Sequence, residues 1–505
     1  MNTKKIYTEL FNVYLNVDTL KERADELGIY PRSIQEKEDS ILFLSHDSDG
    51  KHMIIIHKGP VYDAFEGEEV VKEGVKKCPL NKTNSDILRK LFPYTAPTSH
   101  KRHDITVGLG DRLGIASPGH IQLIKNYPVF PVLAQQSIRE LNLTGRTYED
   151  VLDAASWAVF QEGYKDGFGA DGDHLKTHDE VDMALGYGYT MITLDCSDYI
   201  DNNVLDASLD EVQNRYDKIP KDIRAKLENK YLNKTFDISP RCHLNFNSKI
   251  FKQIVLIYLD AIGFTIDIYK EHIESLEREI DFEMSIDETL TPTSPEAHYF
   301  VARELIDGGV EITSLAPRFC GEFQKGIDYI GDIAQFKREF TSHFDISEHF
   351  GYKISIHSGS DKFSIFPIVG EITEGRYHLK TAGTNWLEAM RLVAQKAPKL
   401  YREIHKFALD NMDEAKAYYH VSAEIDNIPD IDNLTDGELP SLFDMPDSRQ
   451  VIHITYGLIL QAKDEDGDYL FKDKLYDIWN TYEEEYANLL IAHIGKHLQK
   501  LGLDK

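Results

Sequence analysis

From residue 104 onward, short apolar runs alternate with amphipathic stretches. Eight runs have the length of strands: 105–109, 129–134, 168–173, 190–195, 281–286, 312–316, 353–357 and 377–381. Helix-period patterning follows several of them, over 148–162, 295–307, 329–340 and 385–407. Strands separated by helices pair in parallel through right-handed crossovers. Eight such units predict an α/β fold closed as a (β/α)8 TIM barrel, with an open doubly wound sheet as the alternative. The run at 168–173, FGADGD, carries two glycines and two aspartates and is the poorest strand former of the set. It is retained because its end is the most chemically loaded point of the chain.

The flanks read differently. Apolar runs at 41–44 and 53–56 bracket Asp49-Gly50, a hairpin turn signal. With the Pro- and Thr-rich segment 93–103 as a boundary, residues 1–100 are expected to form an accessory α+β segment. The catalytic barrel then spans 104–415, interrupted by a mostly helical insertion at 198–279. Residues 416–505 are expected to be a helical extension with an acidic loop at 424–444 and a last helix at 476–501. The most apolar stretch, 254–268, is broken by Asp260 and Asp267, so it reads as a core helix rather than a membrane span. The first sixteen residues lack the apolar core of a signal peptide.

Composition narrows the function. The chain has 505 residues, 42% of them apolar and 28% charged, as in ordinary globular domains. Its formal charge of −29 repels phosphate backbones and anionic lipid, which argues against nucleic-acid and membrane-surface partners. It also repels a small anionic substrate at long range, so capture would fall to local cations or a metal ion. The four cysteines form no C-x-x-C pair, and they read as reduced thiols of a cytoplasmic protein.

In such a barrel the chemistry collects where strands end and βα loops begin. Those ends carry Gln135-Gln136-Ser137, Asp171 to Lys176, Asp195 to Asp198, Glu283, Arg318 to Lys325, His357 to Lys362, and His378 with Lys380. Taken singly, each has a plain explanation, and Ser137 and Thr177 sit where helix N-caps belong. Together they place His174 and His357, several carboxylates and the cations Lys176, Arg318 and Lys362 on one barrel face. Histidine with carboxylate or amide oxygen suits Zn, Mn, Co, Ni or Fe as one divalent transition metal. Arg318 is suited to grip a substrate carboxylate as a fork. No P-loop, nucleophile elbow, H-E-x-x-H or dinucleotide fingerprint competes.

The strings GLGDRLGIASPGH, PVLAQQSIREL, GADGDHLKT, SLAPRFCGEFQKGIDYIGD and ISIHSGSDKF resemble the tagaturonate epimerase family, over about 104–411. The resemblance implies interconversion of D-tagaturonate and D-fructuronate in hexuronate catabolism, with a ketohexuronate as small-molecule partner. It leaves a homo-oligomer open. A more distant similarity is to class II ketose aldolases, which are metal-dependent barrels. That similarity implies Asp173 as acid/base and His174 and His357 as metal ligands, with a third ligand at Gln324 or its competitor Glu322. Glu283 is the expected second acid/base, and Gln136, Ser137, Lys176, Arg318 and Lys362 the expected substrate contacts. Asp361 replaces the last glycine of the aldolase phosphate loop, which fits an unphosphorylated sugar acid. The implied route is retro-aldol cleavage and re-addition. The alternatives are a class II-type aldolase releasing its fragments, a non-catalytic barrel subunit of an aldolase, and a sugar-binding barrel without turnover.

Overall fold

The structure is a computed structural model, describing residues 17–47, 50–57, 59–71, 74–287, 289–381 and 383–503. The opening sixteen residues and Asp49, on which two sequence expectations rest, lie outside the described residues.

The N-terminal segment is an antiparallel sheet ordered β1-β2-β3-β5-β4, from β1 (Gln35–Lys37), β2 (Ser40–Asp47), β3 (Gly50–Ile56), β4 (Glu68–Val71) and β5 (Val75–Cys78). β2 and β3 are apolar without alternation because both faces are covered. Phe43, Ile54 and Ile56 pack with Leu20, Ala24 and Leu27 on one side. Leu42, Leu44, Met53 and Ile55 pack on the other against Trp157 and Phe160, which belong to the helix Tyr148–Glu162 of the barrel.

All eight strand runs form one closed parallel barrel. They are β6 (Ile105–Leu109), β7 (Phe130–Ser137), β8 (Gly169–Leu175), β9 (Met191–Asp195), β12 (Asp281–Ile286), β13 (Ser314–Pro317), β14 (Lys353–Ile356) and β15 (Tyr377–Thr381). β15 returns to β6 in register, Lys380 opposite Gly108, so the closed barrel holds and the open sheet does not. The poor strand β8 is accommodated by its glycines. A Cβ on Gly172 would meet Leu175 at 3.0 Å and Ala184 at 3.1 Å, so only glycine lets the following helix sit this close.

The insertion between β9 and β12 is less helical than its composition implies. Helices Leu209–Tyr216 and Lys221–Tyr231 lead into a hairpin, β10 (Lys234–Ser239) and β11 (Cys242–Phe246), before the 25-residue helix Ser248–His272. β11 has the alternating burial of a half-covered strand, with Cys242, Leu244 and Phe246 inward. The helix Ser248–His272 contains the 254–268 stretch and buries Ile254, Tyr258, Ala261 and Ile268. Among the described residues no helix is long and apolar enough to cross a membrane.

The tail wraps back over the barrel. Helix Glu483–Lys500 sends Ile494 and Leu498 into the barrel core, while Phe443, Val451, Tyr456 and Trp479 bury with Leu113, Trp386 and Tyr401 in a second core. The stretch expected as one last helix is two, Lys472–Thr481 and Glu483–Lys500, parted at Tyr482. The 385–407 stretch also divides, into Thr384–Lys396 and Pro398–Asp410. Pro398 has no N–H to continue a helix, and it forces Ala397 out of helical geometry.

Candidate active site

The barrel interior is polar at its centre. Successive strand residues face opposite sides, so Asp171 and Asp173 on β8, Thr193 on β9, Glu283 on β12 and Lys380 on β15 all point inward. The Lys380 ammonium lies 2.8 Å from Asp171, 2.9 Å from Asp173 and 3.0 Å from Glu283. Burial alone would lower the Lys380 pKa, but the three carboxylates hold it well above its ordinary value. Burial would likewise raise Asp173 and Glu283; Lys380, with His174 and His357 respectively, holds both well below the usual carboxylate range. Asp171 differs: burial, only partly offset by Lys380, pushes it up to about 6.

Above this charged layer stand two histidines. In a regular strand Asp173 and His174 would face opposite ways. The pairing of β8 with β9 is irregular between Gly172 and Leu175, and His174 takes φ 57°, in the left-handed region. Both side chains therefore reach one cavity. His174 Nδ1 lies 2.7 Å from Asp173, which leaves Nε2 facing Asp287 at 4.0 Å. His357 Nε2 lies 2.7 Å from Glu283, and its Nδ1 is 3.1 Å from Asp287. One ligand atom from each of His174, Asp287 and His357 falls within 4.8 Å of the others. Each histidine is thus aimed by a carboxylate on its other nitrogen, the arrangement that orients metal ligands.

The cavity around them is lined by Gln135, Ser137, Arg139, Glu140, Lys325, Ser358 and Lys380. Both amide atoms of Gln135 are buried without a hydrogen-bond partner, and a Cβ on Gly108 would meet that amide oxygen at 2.1 Å. Gly108 is therefore the space in which Gln135 lies. An adjoining cavity shares Asp287, His357 and Gln324 and adds Arg318, Glu322 and His420.

Several sequence expectations shift. Gln324 borders the cavity, but its amide oxygen accepts from Ser422 N and Oγ at 2.9 Å each and from Gln450 at 3.0 Å. The third converging donor is Asp287, just past the end of β12, and Glu322 is not part of that cluster. Glu283 is fully buried, with oxygens bound to His357, Lys380, Thr193 and Ser314, and it is not among the residues lining the cavity. Gln136 is on the opposite face of β7 from Gln135, which lines the cavity in its place. Lys176 turns to Ser197 at 2.8 Å and Asp198 at 3.3 Å, away from the cavity lining. Lys362 touches the cavity wall, but its ammonium donates to the carbonyls of Gln324, Ile327 and Ser360 and staples two loops together. Burial lowers it to about 7, against the pull of Asp361. Ser137 lines the cavity and also caps helix Ile138–Thr144, its side chain accepting from Glu140 N. Arg318 makes no side-chain hydrogen bond to another described residue and faces the adjoining cavity, where an anion would meet it.

The residues missed had unequal signals. Asp171 and Lys380 were named at their strand ends but given no role, though they share strand parity with Asp173 and His378. Asp287 lies beyond the strand and His453, another wall residue, comes from the tail, so neither had a local signal. The loop string GLGDRLG is structural. The Asp111 carboxylate accepts from the backbone N–H groups of Gly114, at 2.8 Å, and Ala116, at 2.7 Å, and Arg112 is buried on Glu140 and over the Tyr456 ring.

A closed (β/α)8 barrel with two carboxylate-backed histidines and a third carboxylate at its strand ends defines a barrel enzyme with a cation-competent active site. The comparisons give the particular lineage. The family model described as tagaturonate epimerase matches residues 30–501, and the chain belongs to that family. It is 40% identical over 490 residues to the tagaturonate/fructuronate epimerase of Thermotoga maritima, covering 95% of this chain and 99% of that one. The glycerol-complexed crystal structure of the fructuronate-tagaturonate epimerase UxaE from Cohnella laeviribosi superposes with a TM-score of 0.93 at 50% identity, covering 96% of this chain and 99% of that one. The native crystal structure of that enzyme matches equally well, at a TM-score of 0.93.

Proposed function

We propose that this chain interconverts D-tagaturonate and D-fructuronate. The observation that carries the reading is the end-to-end match to a tagaturonate/fructuronate epimerase at 40% identity. The donor set supports a divalent transition ion, with His174, His357 and Asp287 as the residues that would hold it. Such an ion, when bound, supplies Lewis acidity toward ketone and hydroxyl oxygens.

The two sugar acids differ at one hydroxyl-bearing carbon, two bonds from the ketone. Its C–H is not acidic, so proton abstraction at that carbon cannot invert it. Retro-aldol cleavage can. A base takes the proton of that carbon's hydroxyl, and the O–H pair becomes the aldehyde π bond. The adjacent C–C pair passes to an enediolate, the aldehyde turns over, and the bond re-forms on its other face. Asp173 suits the base. It faces the cavity and, held below the ordinary carboxylate range, is ionised at neutral pH. Glu283 and Lys380 hold His357 and Asp173 in place. Arg318 is the cation we assign to the substrate carboxylate.

The test is turnover of tagaturonate by purified protein after chelation and after adding back Mn, Co, Ni or Zn singly. Fructuronate should form only with metal restored, and His174→Ala and His357→Ala should abolish it. A folded protein inert with every metal would overturn the assignment. Carbon-bound solvent deuterium at the inverted carbon would overturn the retro-aldol route.

A further inference from the structure

Two other clusters of metal-ligating side chains lie outside the site, and their hydrogen bonding separates them. In the first, Asp361, His493 and His497 converge, but one of the ring nitrogens, His497 Nε2, is taken. The Asp361 N–H donates to His497 Nε2 at 2.9 Å, and Arg449 holds the Asp361 carboxylate at 2.7 Å. That cluster is a loop anchor.

The second joins the insertion to the barrel. His178 opens the helix His178–Tyr187 that follows β8, and Glu271 and His272 end the insertion helix Ser248–His272. His178 Nδ1, His272 Nε2 and a Glu271 carboxylate oxygen lie within 4.8 Å of one another. The individual separations are 2.8 Å between the ring nitrogens and 3.2 Å from His178 Nδ1 to Glu271. His272 Nδ1 sits 2.6 Å from Asp182, so it donates there and presents the Nε2 lone pair to the cluster. This is again the orientation that a backing carboxylate gives to a metal ligand. His178 packs edge-on to Phe264, which stacks on Tyr199, so the ring is supported from the side. The His272 side chain is 6% exposed and that of Glu271 64%, leaving solvent access for a water as fourth ligand.

We propose that His178, Glu271 and His272 form a second divalent-metal site, taking Zn or another imidazole-preferring ion, which clips the insertion helix to the barrel. Ligand bonds of about 2.0–2.1 Å place tetrahedral donors roughly 3.4 Å apart, so the rings need part by only about half an ångström. The clip is separate from the catalytic cavity and does not depend on the proposed reaction.

Equilibrium dialysis of the full chain against micromolar Zn should give two tightly bound equivalents. His178→Ala/His272→Ala should give one, and His174→Ala/His357→Ala should also give one. Zn should raise the melting temperature of the catalytic-site variant, and that rise should disappear when His178→Ala/His272→Ala is added to it. Glu271→Gln, a surface change, weakens the second equivalent at least tenfold and serves if the double variant does not fold. Binding only at millimolar Zn, or a Zn count that both clip variants leave unchanged, would overturn the proposal; a single wild-type equivalent that His178→Ala/His272→Ala removes would instead place the failure at the catalytic cavity.

Discussion

Lys380 shows how much of the centre depends on single side chains. Its ammonium is shared by Asp171, Asp173 and Glu283, all buried. Breaking a buried ionic cluster by removing one partner costs about 3–5 kcal/mol, because the remaining charges stay desolvated. Lys380→Met should lose roughly that much stability in urea titrations and also lose turnover. A variant as stable as the wild type would contradict this account. His343 and His405 allow a pH test away from the site. Burial holds both rings down at about 4, against 6.5 for an exposed imidazole. The folded state therefore binds fewer protons than the unfolded chain between those values. Stability from this source is full above pH 6.5 and falls as pH drops toward 4, by roughly 3 kcal/mol per ring. His405→Leu should lessen the loss between pH 7 and 4, as read by denaturant midpoints at each pH. At this scale the expectation that His174, His357 and Asp173 share one barrel face matches their placement around one cavity, because strand-end position and residue type coincide. Gln135 was missed for its neighbour Gln136, because the sequence shows the pair but not which member faces inward.

Among elements, the seventh βα loop depends on partners far away in sequence. Asp361 and Ser358 take φ 63° and 49°, strained values for residues with side chains. Arg449, from the tail helix Pro446–Ile454, holds the Asp361 carboxylate and donates to the Gly326 carbonyl at 2.7 Å. It thereby couples the loop bearing His357 to the loop bearing Lys325. Arg449→Met should lower kcat/KM on the order of tenfold, with a smaller change in melting temperature, because small displacements of a reacting group are costly. Unchanged kinetics would show that the loop holds itself. Helices Tyr148–Glu162 and Pro295–Asp307 were legible to the residue, with Thr147 and Ser294 as caps. The hairpin of β10 and β11 was not, since its alternation spans only five or six residues a strand and lies between longer helical stretches.

For the whole molecule, the tail is part of the fold rather than an appendage. Leu113, Ala116, Trp386, Leu387, Met390 and Tyr401 are buried in a core whose other side is built by residues beyond 415. A chain ending at residue 415 should lose its cooperative thermal transition and all turnover. A truncated form that melts cooperatively near the full-length temperature would refute this.

The sequence by itself determined the (β/α)8 barrel, the strand-end histidines and the family, because periodicity and long motif strings are local properties of the chain. Only the tertiary structure decided the rest. Asp287 is the residue that converges with His174 and His357, while Ser422 and Gln450, from the tail, claim the oxygen of Gln324. Glu283 became a supporting carboxylate, and Lys362 a staple, because each is fully buried among partners. Those roles are set by distances between residues up to about 200 positions apart, such as the 207 between Asp173 and Lys380. Spacing along the chain holds no record of them.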